Sequence, residues 1–531
     1  MSDDTLTALL DTLRARRPGA PALIHDGRAT SFAALDDLSR KVARGLAGLG
    51  VGPGDRVALW LPDVPAWLIL FFACARLGAV AVALNTRFRG AEIGDLLRRS
   101  RAKVLALAPQ FNDIDFAGIL DDVDDGALSA LETVIVVGDD APARVRGRAA
   151  VRYDDLEATI PPYADDHAAP DTGCVTFTTS GTTNKPKLVL HNQASIVRHG
   201  HDVAAAFGYD ATASKVLHAI PFCGVFGLSQ AIGALTGGAA LVLMPRFDAS
   251  RAAQMITSHR ITHFNGSDDM IARLLDATDE ERPFPTIRFA GFGSFTPALH
   301  DIAARADARG LALVGLYGTS EIQALFAFQP PDADLATRAT MGGRLVSPQA
   351  RVRVRDPDSG ALLGHGEIGE LELRGPSLMA EYVDNPEATA AAFTEDGFFR
   401  SGDLGMTHAG GAFTFLSRMG DVLRLGGFLV NPQEIEDYVQ GHAAVDGCQV
   451  VGADGDRGTV PVAFVIPAAG ARFSESDIAA HCRKGLAKYK VPARIIAVDA
   501  FPVTTGPNGV KIQRAKLRDS AQALLADRAA S

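Results

Sequence analysis

The sequence predicts an α/β protein with a large N-terminal domain of layered α/β sheets, a small β-barrel-like portion and a small α+β C-terminal domain. Helical and strand periodicities alternate along about the first 170 residues, and a second alternation follows, which is typical of open, mostly parallel sheets. From about residue 341 the pattern changes to short β segments between Gly and Pro turns. The length of 531 residues, at about 150 residues per domain, agrees with three or four such units.

The first alternation begins with a helical repeat at 31–48 and a strand at 56–61. The apolar stretch at 67–84 contains Arg76, whose charge would cost roughly 2.5–3.5 kcal/mol at the centre of a membrane. We therefore expect a buried helix over 66–77 that leads into a buried strand over 79–84, and no membrane span. The other elements predicted before residue 341 are strands at 104–107, 134–137, 175–178, 239–244 and 313–316 and helices at 252–259 and 268–277.

The last part of the chain predicts a separate domain. Further β segments are expected at 351–355 and 369–374, and the sequence SRMGDVLRLGG at 417–427 looks like a junction. We expect an N-terminal body at 1–419, made of two α/β subdomains and a β-rich subdomain, and an α+β C-terminal domain at 420–531.

Charge and cysteine content exclude several classes of function. The chain has 52 Lys and Arg against 62 Asp and Glu, a formal net charge of −10, so general binding to nucleic acid or an anionic membrane is not expected. Its five cysteines are odd in number and far apart, which argues against a disulfide framework or a CxxC zinc site. The acidic N-terminus lacks the basic and apolar regions of a signal peptide, and we expect a cytoplasmic protein.

A hydroxyl-rich loop follows the strand predicted at 175–178. Five hydroxyl groups, one glycine and two lysines occur within the eleven residues at 177–187. Backbone N–H groups of such a loop, together with hydroxyl and ammonium donors, form a site for a polyphosphate. It is not a Walker A loop, because the fifth residue after Gly181 is Pro186 rather than glycine. The candidate phosphate-binding residues are Thr178, Thr179, Ser180, Gly181, Thr182, Thr183 and Lys187.

Later segments add residues of the kind that hold a nucleotide. The strand predicted at 313–316 is expected to end in a turn at Tyr317 and Gly318, within the sequence YGTSE. The ring of Tyr317 can stack on a flat base, and the carboxylate of Glu321 is a hard oxygen ligand suited to Mg²⁺. In RSGDL, the carboxylate of Asp403 can accept hydrogen bonds from two hydroxyl groups. The sequences SRMGD, GELELRG and GVKIQR stand at 417–421, 369–375 and 509–514.

Together these segments resemble the motifs of the adenylate-forming enzymes, a superfamily that includes acyl- and aryl-CoA synthetases, firefly-type luciferases and the adenylation domains of peptide synthetases. The motifs run in family order from Thr178 to Arg514, and the earlier α/β region is also similar, so the resemblance covers nearly the whole chain. Asn184 and Leu188 replace glycines of the family pattern, and the last motif is lengthened. The GELELRG stretch and Tyr382 after it also resemble a family stretch, which is mostly architectural. The chain is most similar to a free-standing acyl-CoA synthetase.

The resemblance implies nucleotide contacts for the motif residues. Tyr317 would lie against adenine, Thr319 near the α-phosphate, and Glu321 on Mg²⁺. Thr182 joins Glu321 among the residues expected to act in catalysis. The other residues expected to bind ATP or AMP on this ground are Gly293, Ser294 and Gly318.

The same resemblance assigns roles in the later motifs. Asp403 and Arg418 would bind the ribose, and Lys511 would be the catalytic lysine that bridges the substrate carboxylate and the α-phosphate. Lys516 is the alternative, because the lengthened motif leaves two registers open. In this family the C-terminal domain rotates between the two half-reactions, and the hinge position is Gly420 here, where relatives commonly have Asp or Lys.

The candidate acyl pocket combines apolar and small residues. Family members often have His or Trp where Gly224 stands, and the aspartate with which amino-acid-activating members pair the α-ammonium is absent, so we expect an acid without an α-amino group. We expect Cys223 to be a small buried residue and not a nucleophile, because no histidine stands beside it in the sequence. The candidate pocket residues are Phe222, Cys223, Gly224, Phe226, Gly291 and Phe292, which suit a fatty or aromatic acid.

The resemblance implies an ATP-dependent acid–CoA ligase, with ATP, Mg²⁺ and coenzyme A as its cofactor and co-substrates. A carboxylate and ATP would give acyl-AMP and pyrophosphate, and coenzyme A would then give the thioester and AMP. An acyl-AMP ligase that loads a free-standing acyl carrier protein and a catalytically inactive nucleotide-binding scaffold remain as alternatives. Expected partners are small molecules, and a homodimer is left open. No third ligand accompanies the His259 and His263 pair, so we do not expect a histidine metal site.

Overall fold

The structure is a computed structural model of the chain. It describes residues 4–112, 114–138, 142–179, 187–296, 299–419, 423–425, 428–455, 458–486, 488–506 and 509–529. The chain divides into two compact units, which we call unit 1 and unit 2. Unit 1 comprises residues 1–293, 302–351 and 373–399, and unit 2 comprises residues 294–301, 352–372 and 400–531.

Sixteen α-helices occur in the described residues. In chain order they are α1 Leu6–Arg16, α2 Phe32–Gly48, α3 Pro65–Arg76, α4 Gly90–Ser100, α5 Phe116–Asp121, α6 Tyr153–Glu157, α7 Gln193–Phe207, α8 Val225–Thr236, α9 Ala249–His259, α10 Asp268–Asp276, α11 Ile302–Ala308, α12 Leu335–Arg338, α13 Pro386–Ala392, α14 Pro432–Gln440, α15 Glu475–Gly485 and α16 Arg514–Ala529.

The same residues form 31 strands. They are β1 Pro21–His25, β2 Arg28–Ser31, β3 Arg56–Trp60, β4 Val80–Ala83, β5 Val104–Leu107, β6 Gln110–Phe111, β7 Ile114–Asp115, β8 Thr133–Val136, β9 Arg144–Val145, β10 Arg148–Arg152, β11 Gly173–Thr178, β12 Leu188–Asn192, β13 Lys215–His218, β14 Ala240–Leu243, β15 His263–Ser267, β16 Phe289–Gly293, β17 Leu313–Thr319, β18 Gln323–Phe328, β19 Gly342–Leu345, β20 Arg351–Arg355, β21 Gly369–Arg374, β22 Glu381–Tyr382, β23 Phe399–Thr407, β24 Phe413–Arg418, β25 Leu423–Leu425, β26 Phe428–Val430, β27 Val445–Gly455, β28 Gly458–Pro467, β29 Arg494–Ala497, β30 Val503–Gly506 and β31 Gly509–Ile512.

Unit 1 contains two large sheets. The strands of the first follow the order β2-β1-β14-β13-β15-β16-β17-β18-β19, and those of the second follow β22-β12-β11-β4-β3-β5-β8-β10-β9. In the first sheet, the adjacent strands β14, β13, β15, β16 and β17 run parallel to one another. Because parallel strands end at one edge, the segments that follow β13, β16 and β17 begin at the same edge, where open α/β sheets bind their ligands.

The second sheet is buried on both faces. Ala81 and Ala83 of β4 belong to a core cluster shared with α3, α7 and α8. Val82 and Leu84, which alternate with them, belong to another cluster shared with α4 and α5. Two buried faces explain why the strands are continuous apolar runs rather than alternating ones.

Arg76, the charged residue in the apolar helix α3, is buried and paired with a carboxylate. The Arg76 side chain is 1 % exposed and its Nη2 lies 2.7 Å from Oδ1 of Asp36 in α2, which is fully buried. Nε of Arg40 and Nη1 of Arg14 each lie 3.0 Å from the other oxygen of that carboxylate. The charge is therefore compensated inside the protein, and among the described residues no helix has the length and apolar character needed to cross a membrane.

Unit 2 has one β portion and one compact α+β portion. The first contains strands in the order β24-β23-β21-β20, and the second contains the sheet β27-β28-β29 with the hairpins β25–β26 and β30–β31. Helices α14, α15 and α16 pack against β27 or β29. The fold prediction of a mixed α/β protein with a large N-terminal part and a small C-terminal α+β part is confirmed.

One local expectation was wrong. The strand predicted at 313–316 was expected to end in a turn at Tyr317 and Gly318, but β17 continues to Thr319. It continues because β18 returns antiparallel beside it and pairs Tyr317 with Ala327 and Thr319 with Gln323. The turn therefore begins three residues later, lies at 320–322 and carries Glu321.

Candidate active site

The hydroxyl-rich loop leaves β11 and returns into β12. The Thr179 backbone N–H donates to the Lys187 carbonyl at 3.0 Å, and the Lys187 N–H donates to the Thr179 hydroxyl oxygen, also at 3.0 Å. These two bonds tie the ends of the loop together, with Thr178 and Thr179 half-buried and Lys187 exposed. The predicted residues Ser180, Gly181, Thr182 and Thr183 lie outside the described residues.

The turn between β17 and β18 carries the other phosphate-site candidates. Tyr317 and Thr319 are 7 % and 8 % exposed, and Glu321 is half-buried. The Glu321 backbone N–H donates to the Thr319 hydroxyl oxygen at 3.3 Å, and the Glu321 carbonyl accepts from the Met379 N–H at 2.7 Å. Glu321 is thus held at both ends of its backbone.

Two buried histidines hold the same turn from the side. Nε2 of His191 donates to the Ser320 carbonyl at 2.8 Å, and Nε2 of His199 donates to the Ala324 carbonyl at 2.7 Å. A carbonyl only accepts, so each ring carries its proton on Nε2. Burial lowers the pKa of each to about 4, and both rings are neutral near pH 7. Sequence reasoning did not find this role, because the partners are 129 and 125 residues away.

The turn is also strained. Gln323 and Leu325 have φ of 60° and 68°, in the left-handed region that residues with a Cβ rarely adopt. The Gln323 side chain is 1 % exposed and donates from Nε2 to the Ser195 carbonyl at 2.9 Å. Strain of this kind persists only where surrounding contacts hold it, and it concentrates near functional sites.

Tyr382 connects the Glu321 turn with the lysine of the loop. Its hydroxyl donates to Oε1 of Glu321 at 2.9 Å, and Nζ of Lys187 lies 4.3 Å from the centroid of its ring. Tyr382 was quoted in the family resemblance but was not among the predicted site residues. Tyr382 is 5 % exposed, whereas Glu321 is half-buried and Lys187 is exposed.

In unit 2, two predicted residues face each other across a β ladder. Asp403 of β23 is directly opposite Arg418 of β24, and the guanidinium Nε lies 2.9 Å from Oδ1 of the carboxylate. Gly402 has φ of +66°, a left-handed conformation that glycine adopts without strain. There the Ser401 carbonyl accepts from Nη1 of Arg418 at 3.2 Å and the Ser401 hydroxyl accepts from the Asp403 N–H at 3.0 Å.

Lys511 lies on the hairpin of β30 and β31, opposite Thr504. The chain leaves this hairpin through Gln513, whose backbone N–H donates to the Pro502 carbonyl at 2.7 Å. Nη2 of Arg514 then lies 2.9 Å from Oε1 of Glu436 in α14. Burial raises the pKa of Glu436 to about 7. Gly420, the predicted hinge, lies outside the described residues.

The candidate acyl segment begins at the end of β13. Phe222 is fully buried, with its ring centroid 4.2 Å from that of His218 and 5.3 Å from that of Trp67. The Phe222 backbone N–H donates to Oδ1 of Asp63 at 2.8 Å. Burial raises the pKa of the Cys223 thiol to about 12, so the thiol is protonated and unsuited to nucleophilic attack near pH 7.

Other predicted pocket residues lie on neighbouring elements of unit 1. Gly224 caps α8, and Phe226 in its first turn is 6 % exposed. Gly291 of β16 is packed closely, since an added Cβ would lie 2.6 Å from Oδ1 of Asn265 and 2.7 Å from a methyl carbon of Leu316. Close packing between neighbouring strands is therefore enough to explain why residue 291 is a glycine. Phe292 is 2 % exposed.

The predicted site residues divide between the units. Unit 1 contains Thr178, Thr179, Lys187, Phe222, Cys223, Gly224, Phe226, Gly291, Phe292, Gly293, Tyr317, Gly318, Thr319 and Glu321, whereas unit 2 contains Ser294, Asp403, Arg418, Lys511 and Lys516. Within each unit the structure brings together Lys187 with Glu321 through Tyr382, and Asp403 with Arg418.

A family comparison decides the class. Residues 10–383 match the model of the AMP-binding enzymes, and residues 434–506 match that of the AMP-binding enzyme C-terminal domain. The chain belongs to the AMP-binding enzyme family. For this AMP-binding enzyme, the predicted membership of the adenylate-forming superfamily is therefore confirmed.

Curated relatives of this AMP-binding enzyme are named as CoA ligases. A methyl-dioxo-octahydro-indenyl-propanoyl:CoA ligase of Mycobacterium tuberculosis is 32% identical over 97% of this chain and 98% of its own. A sulfoacetate–CoA ligase of Cupriavidus necator is 31% identical over 98% of each chain, and a feruloyl-CoA synthase of an Amycolatopsis species is 30% identical over 92% and 94%. These relatives confirm the predicted enzyme class, an AMP-forming acid–CoA ligase.

A solved structure agrees with this class. ATP-bound MatB from Rhodopseudomonas palustris superimposes with a TM-score of 0.84 at 26% identity, covering 98% of this chain and 99% of its own. The similarity extends over nearly all of both chains, so it includes the C-terminal α+β portion as well as the large sheets.

Proposed function

We propose that this AMP-binding enzyme joins a carboxylic acid that carries an apolar ring or chain, and no α-amino group, to coenzyme A. The acid would first attack the α-phosphate of ATP to give acyl-AMP and pyrophosphate. Coenzyme A would then attack the acyl carbonyl and release AMP. The observation that carries the proposal is that Tyr382 contacts Lys187, at the end of the hydroxyl-rich loop, through its ring and the Glu321 carboxylate through its hydroxyl.

The Glu321 site suits a magnesium ion. Mg²⁺ keeps several waters and binds through one or two carboxylates together with substrate phosphates. Glu321 supplies one half-buried carboxylate beside the end of the phosphate-loop candidate. In the described part of the chain no group of three or more His, Cys, Asp or Glu could hold a metal ion, which suits a site completed by phosphate oxygens. When bound there, Mg²⁺ would neutralise charge on the phosphates.

The chain's own residues would position the nucleotide. Lys187 and the loop hydroxyls would donate to the β- and γ-phosphates, while Tyr317 would stack on the base. Asp403 is 1 % exposed and would accept from the ribose hydroxyls, with Arg418 beside it to hold the carboxylate and reach the sugar. In-line displacement at phosphorus needs mainly such positioning and charge neutralisation.

Lys511 would stabilise the negative charge that develops on the carboxylate and α-phosphate oxygens. Its hairpin is anchored by the ion pair of Arg514 with Glu436, three residues after the lysine. We propose that residues 420–531 form the domain that moves between the half-reactions, with Gly420 as the hinge. The enzyme would work in the cytoplasm, where ATP and coenzyme A are supplied.

Buried aromatic side chains and the names of relatives both bear on the class of acid. Buried Phe222, Phe226 and Phe292 follow the parallel strands β13 and β16 or lie at their ends, and they favour an apolar acyl group. Relatives named for feruloyl, indoleacetate and indenyl-propanoyl substrates support a ring-bearing acid. The relative named for sulfoacetate makes a small anionic acid the necessary counter-example to test.

The test is pyrophosphate release across a panel of acids, with and without coenzyme A. We expect aryl, indole and medium-chain acids to release pyrophosphate and to form thioesters, and sulfoacetate to do neither. Preference for sulfoacetate would contradict the apolar pocket. Acyl-AMP that accumulates with coenzyme A but is consumed by an acyl carrier protein would contradict the proposed acceptor, and no pyrophosphate with any acid would contradict the ligase itself.

A further inference from the structure

Tyr382 lies beside the strand that leaves the phosphate-loop candidate. Its short strand β22 pairs antiparallel with β12, with Tyr382 opposite Val189. On either side, the Ala380 N–H donates to the Leu190 carbonyl and the Val383 N–H donates to the Leu188 carbonyl, both at 2.8 Å. The backbone of residue 382 is therefore fixed to the first residues after Lys187.

The side chain of Tyr382 makes two chemically different contacts. The hydroxyl donates a 2.9 Å hydrogen bond to Oε1 of Glu321, a charge-assisted bond to a carboxylate. The ring face lies under the Lys187 ammonium at 4.3 Å from the centroid, which is within the range of a cation–π contact. One residue thus touches the two charged groups that the proposed reaction needs beside the phosphates.

Both contacts orient a charge without neutralising it. A phenol donates one proton to one carboxylate oxygen and leaves the second oxygen of Glu321 to a cation. A ring face attracts an ammonium but takes none of its three N–H donors, so Lys187 keeps them for phosphate oxygens. A carboxylate partner for Lys187 would have satisfied those donors and competed with the phosphates.

We propose that Tyr382 is a positioning residue for the magnesium–nucleotide site: its hydroxyl sets the Glu321 carboxylate for Mg²⁺, and its ring sets Lys187 for the phosphates. The inference rests on the proposed function, since it takes Glu321 and Lys187 as the groups that receive MgATP. It goes further by assigning separate tasks to the two halves of one side chain.

Tyr382→Phe separates the tasks because it removes the hydroxyl and keeps the ring. The Kd for ATP is measured by calorimetry in the absence of any acid. In excess Mg²⁺ we expect Tyr382→Phe to raise this Kd about tenfold, as for a lost hydrogen bond to a charged group. The Kd for ATP in EDTA should stay that of the wild type, because Lys187 is still held. Tyr382→Leu should weaken ATP binding in both solutions. In EDTA its Kd for ATP should be about two- to fivefold above that of the wild type, because the ring that holds Lys187 is gone.

Tyr163→Phe is the matched control. It removes a tyrosine hydroxyl whose partner is His167 and not a site residue, and it should leave both values of Kd unchanged. Thermal unfolding of each variant separates positioning from folding, and Tyr382→Phe should keep the wild-type midpoint.

Equal weakening of Tyr382→Phe with and without Mg²⁺, or no weakening in either, would overturn the inference. A fall in the thermal unfolding midpoint of Tyr382→Phe that accounts for the whole loss of ATP affinity would also overturn the inference. Failure of the proposed function would look different, because the wild-type protein would then release no pyrophosphate with any acid of the panel, whatever its affinity for ATP.

Discussion

Two neutral histidines determine how the Glu321 turn responds to acid. His191 and His199 are buried, and each donates from Nε2 to a backbone carbonyl, of Ser320 in the turn and of Ala324 just after it. Burial lowers the pKa of His199 from 6.5 to about 4, and burial together with the nearby His199 does the same to His191. The turn is therefore held by hydrogen bonds that do not depend on charge near neutral pH.

The first prediction concerns the pH dependence of stability. Below pH 6.5 an unfolded histidine binds a proton, whereas folded His199 binds one only near pH 4. Stability that is present above pH 6.5 is thus lost as the pH falls, by about 1.4 kcal/mol per pH unit for each such histidine. His199→Gln keeps an N–H donor for the Ala324 carbonyl and should reduce that slope by about 1.4 kcal/mol per pH unit between pH 6 and 4.

Urea unfolding followed by tryptophan fluorescence measures this slope, because Trp60 and Trp67 are the chain's two tryptophans and both lie in unit 1. His201→Gln, an exposed change on the same helix, is the control and should keep the wild-type slope. An unchanged slope in His199→Gln would show that this ring is not the neutral buried group described.

Sequence reasoning at the residue scale works from chemistry that is local. Tyr317, Glu321, Asp403 and Lys511 were named from short motifs whose residue types suit a nucleotide, and their roles stay predictions. The supporting contacts escaped it, because Tyr382 is 61 residues from Glu321 and no short-range pattern connects them. The signal that was available is the family stretch that contains Tyr382, which was interpreted as architectural.

At the scale of elements, helices and strands followed their periodicity closely. The helix predicted at 66–77 is Pro65–Arg76, and the strand predicted at 104–107 is Val104–Leu107. The exception is β17, where pairing with β18 extends the strand through Gly318. Cross-strand hydrogen bonds depend on a partner that a local pattern does not contain, so this extension could not be predicted from residues 313–319 alone.

A second prediction tests the contact between α2 and α3. Asp36→Asn removes the carboxylate opposite buried Arg76 and should lower the free energy of unfolding by about 3–5 kcal/mol, since it leaves an uncompensated buried charge. Asp37→Asn is the matched control, because Asp37 is half-exposed and its ion pair with Arg14 is worth at most about 1 kcal/mol.

The free energy of unfolding is again measured in urea on the whole protein, with the tryptophan fluorescence that reports on unit 1. The double variant Asp36→Asn with Arg76→Met should regain much of the lost stability, because the unpaired cation is then gone. If Asp36→Asn and Asp37→Asn cost the same, the buried pair does not hold the helices together.

At the scale of the whole molecule, the nucleotide candidates are divided between two units. Tyr317 and Glu321 belong to unit 1, and Asp403, Arg418 and Lys511 belong to unit 2. This division agrees with the separate matches of the family models to residues 10–383 and 434–506. Composition pointed to several units, but it carried no information on which residues each unit contributes.

The third prediction separates the two half-reactions. Lys511→Ala should slow acyl-AMP formation by about 10²–10³-fold, because it removes a preorganised charge, and should leave thioester formation from supplied acyl-AMP nearly unchanged. Rapid-quench assays of each half-reaction provide the measurement. Lys516→Ala, the matched lysine in the following helix, should leave both rates unchanged.

An equal loss in both half-reactions for Lys511→Ala would contradict the assigned role. A loss of adenylation confined to Lys516→Ala would move the catalytic lysine to the other register of the lengthened motif.

The double-sided burial of β4 has a consequence for how the sequence can evolve. Ala81 and Val82 are neighbours in the chain but face different cores, whereas Val82 and Leu84 share one. Substitutions that share packing partners couple energetically, and those that share none add independently. Epistasis in this part of the protein should therefore follow a period of two, so that a change at residue 82 alters which residues are tolerated at 84 more than at 81.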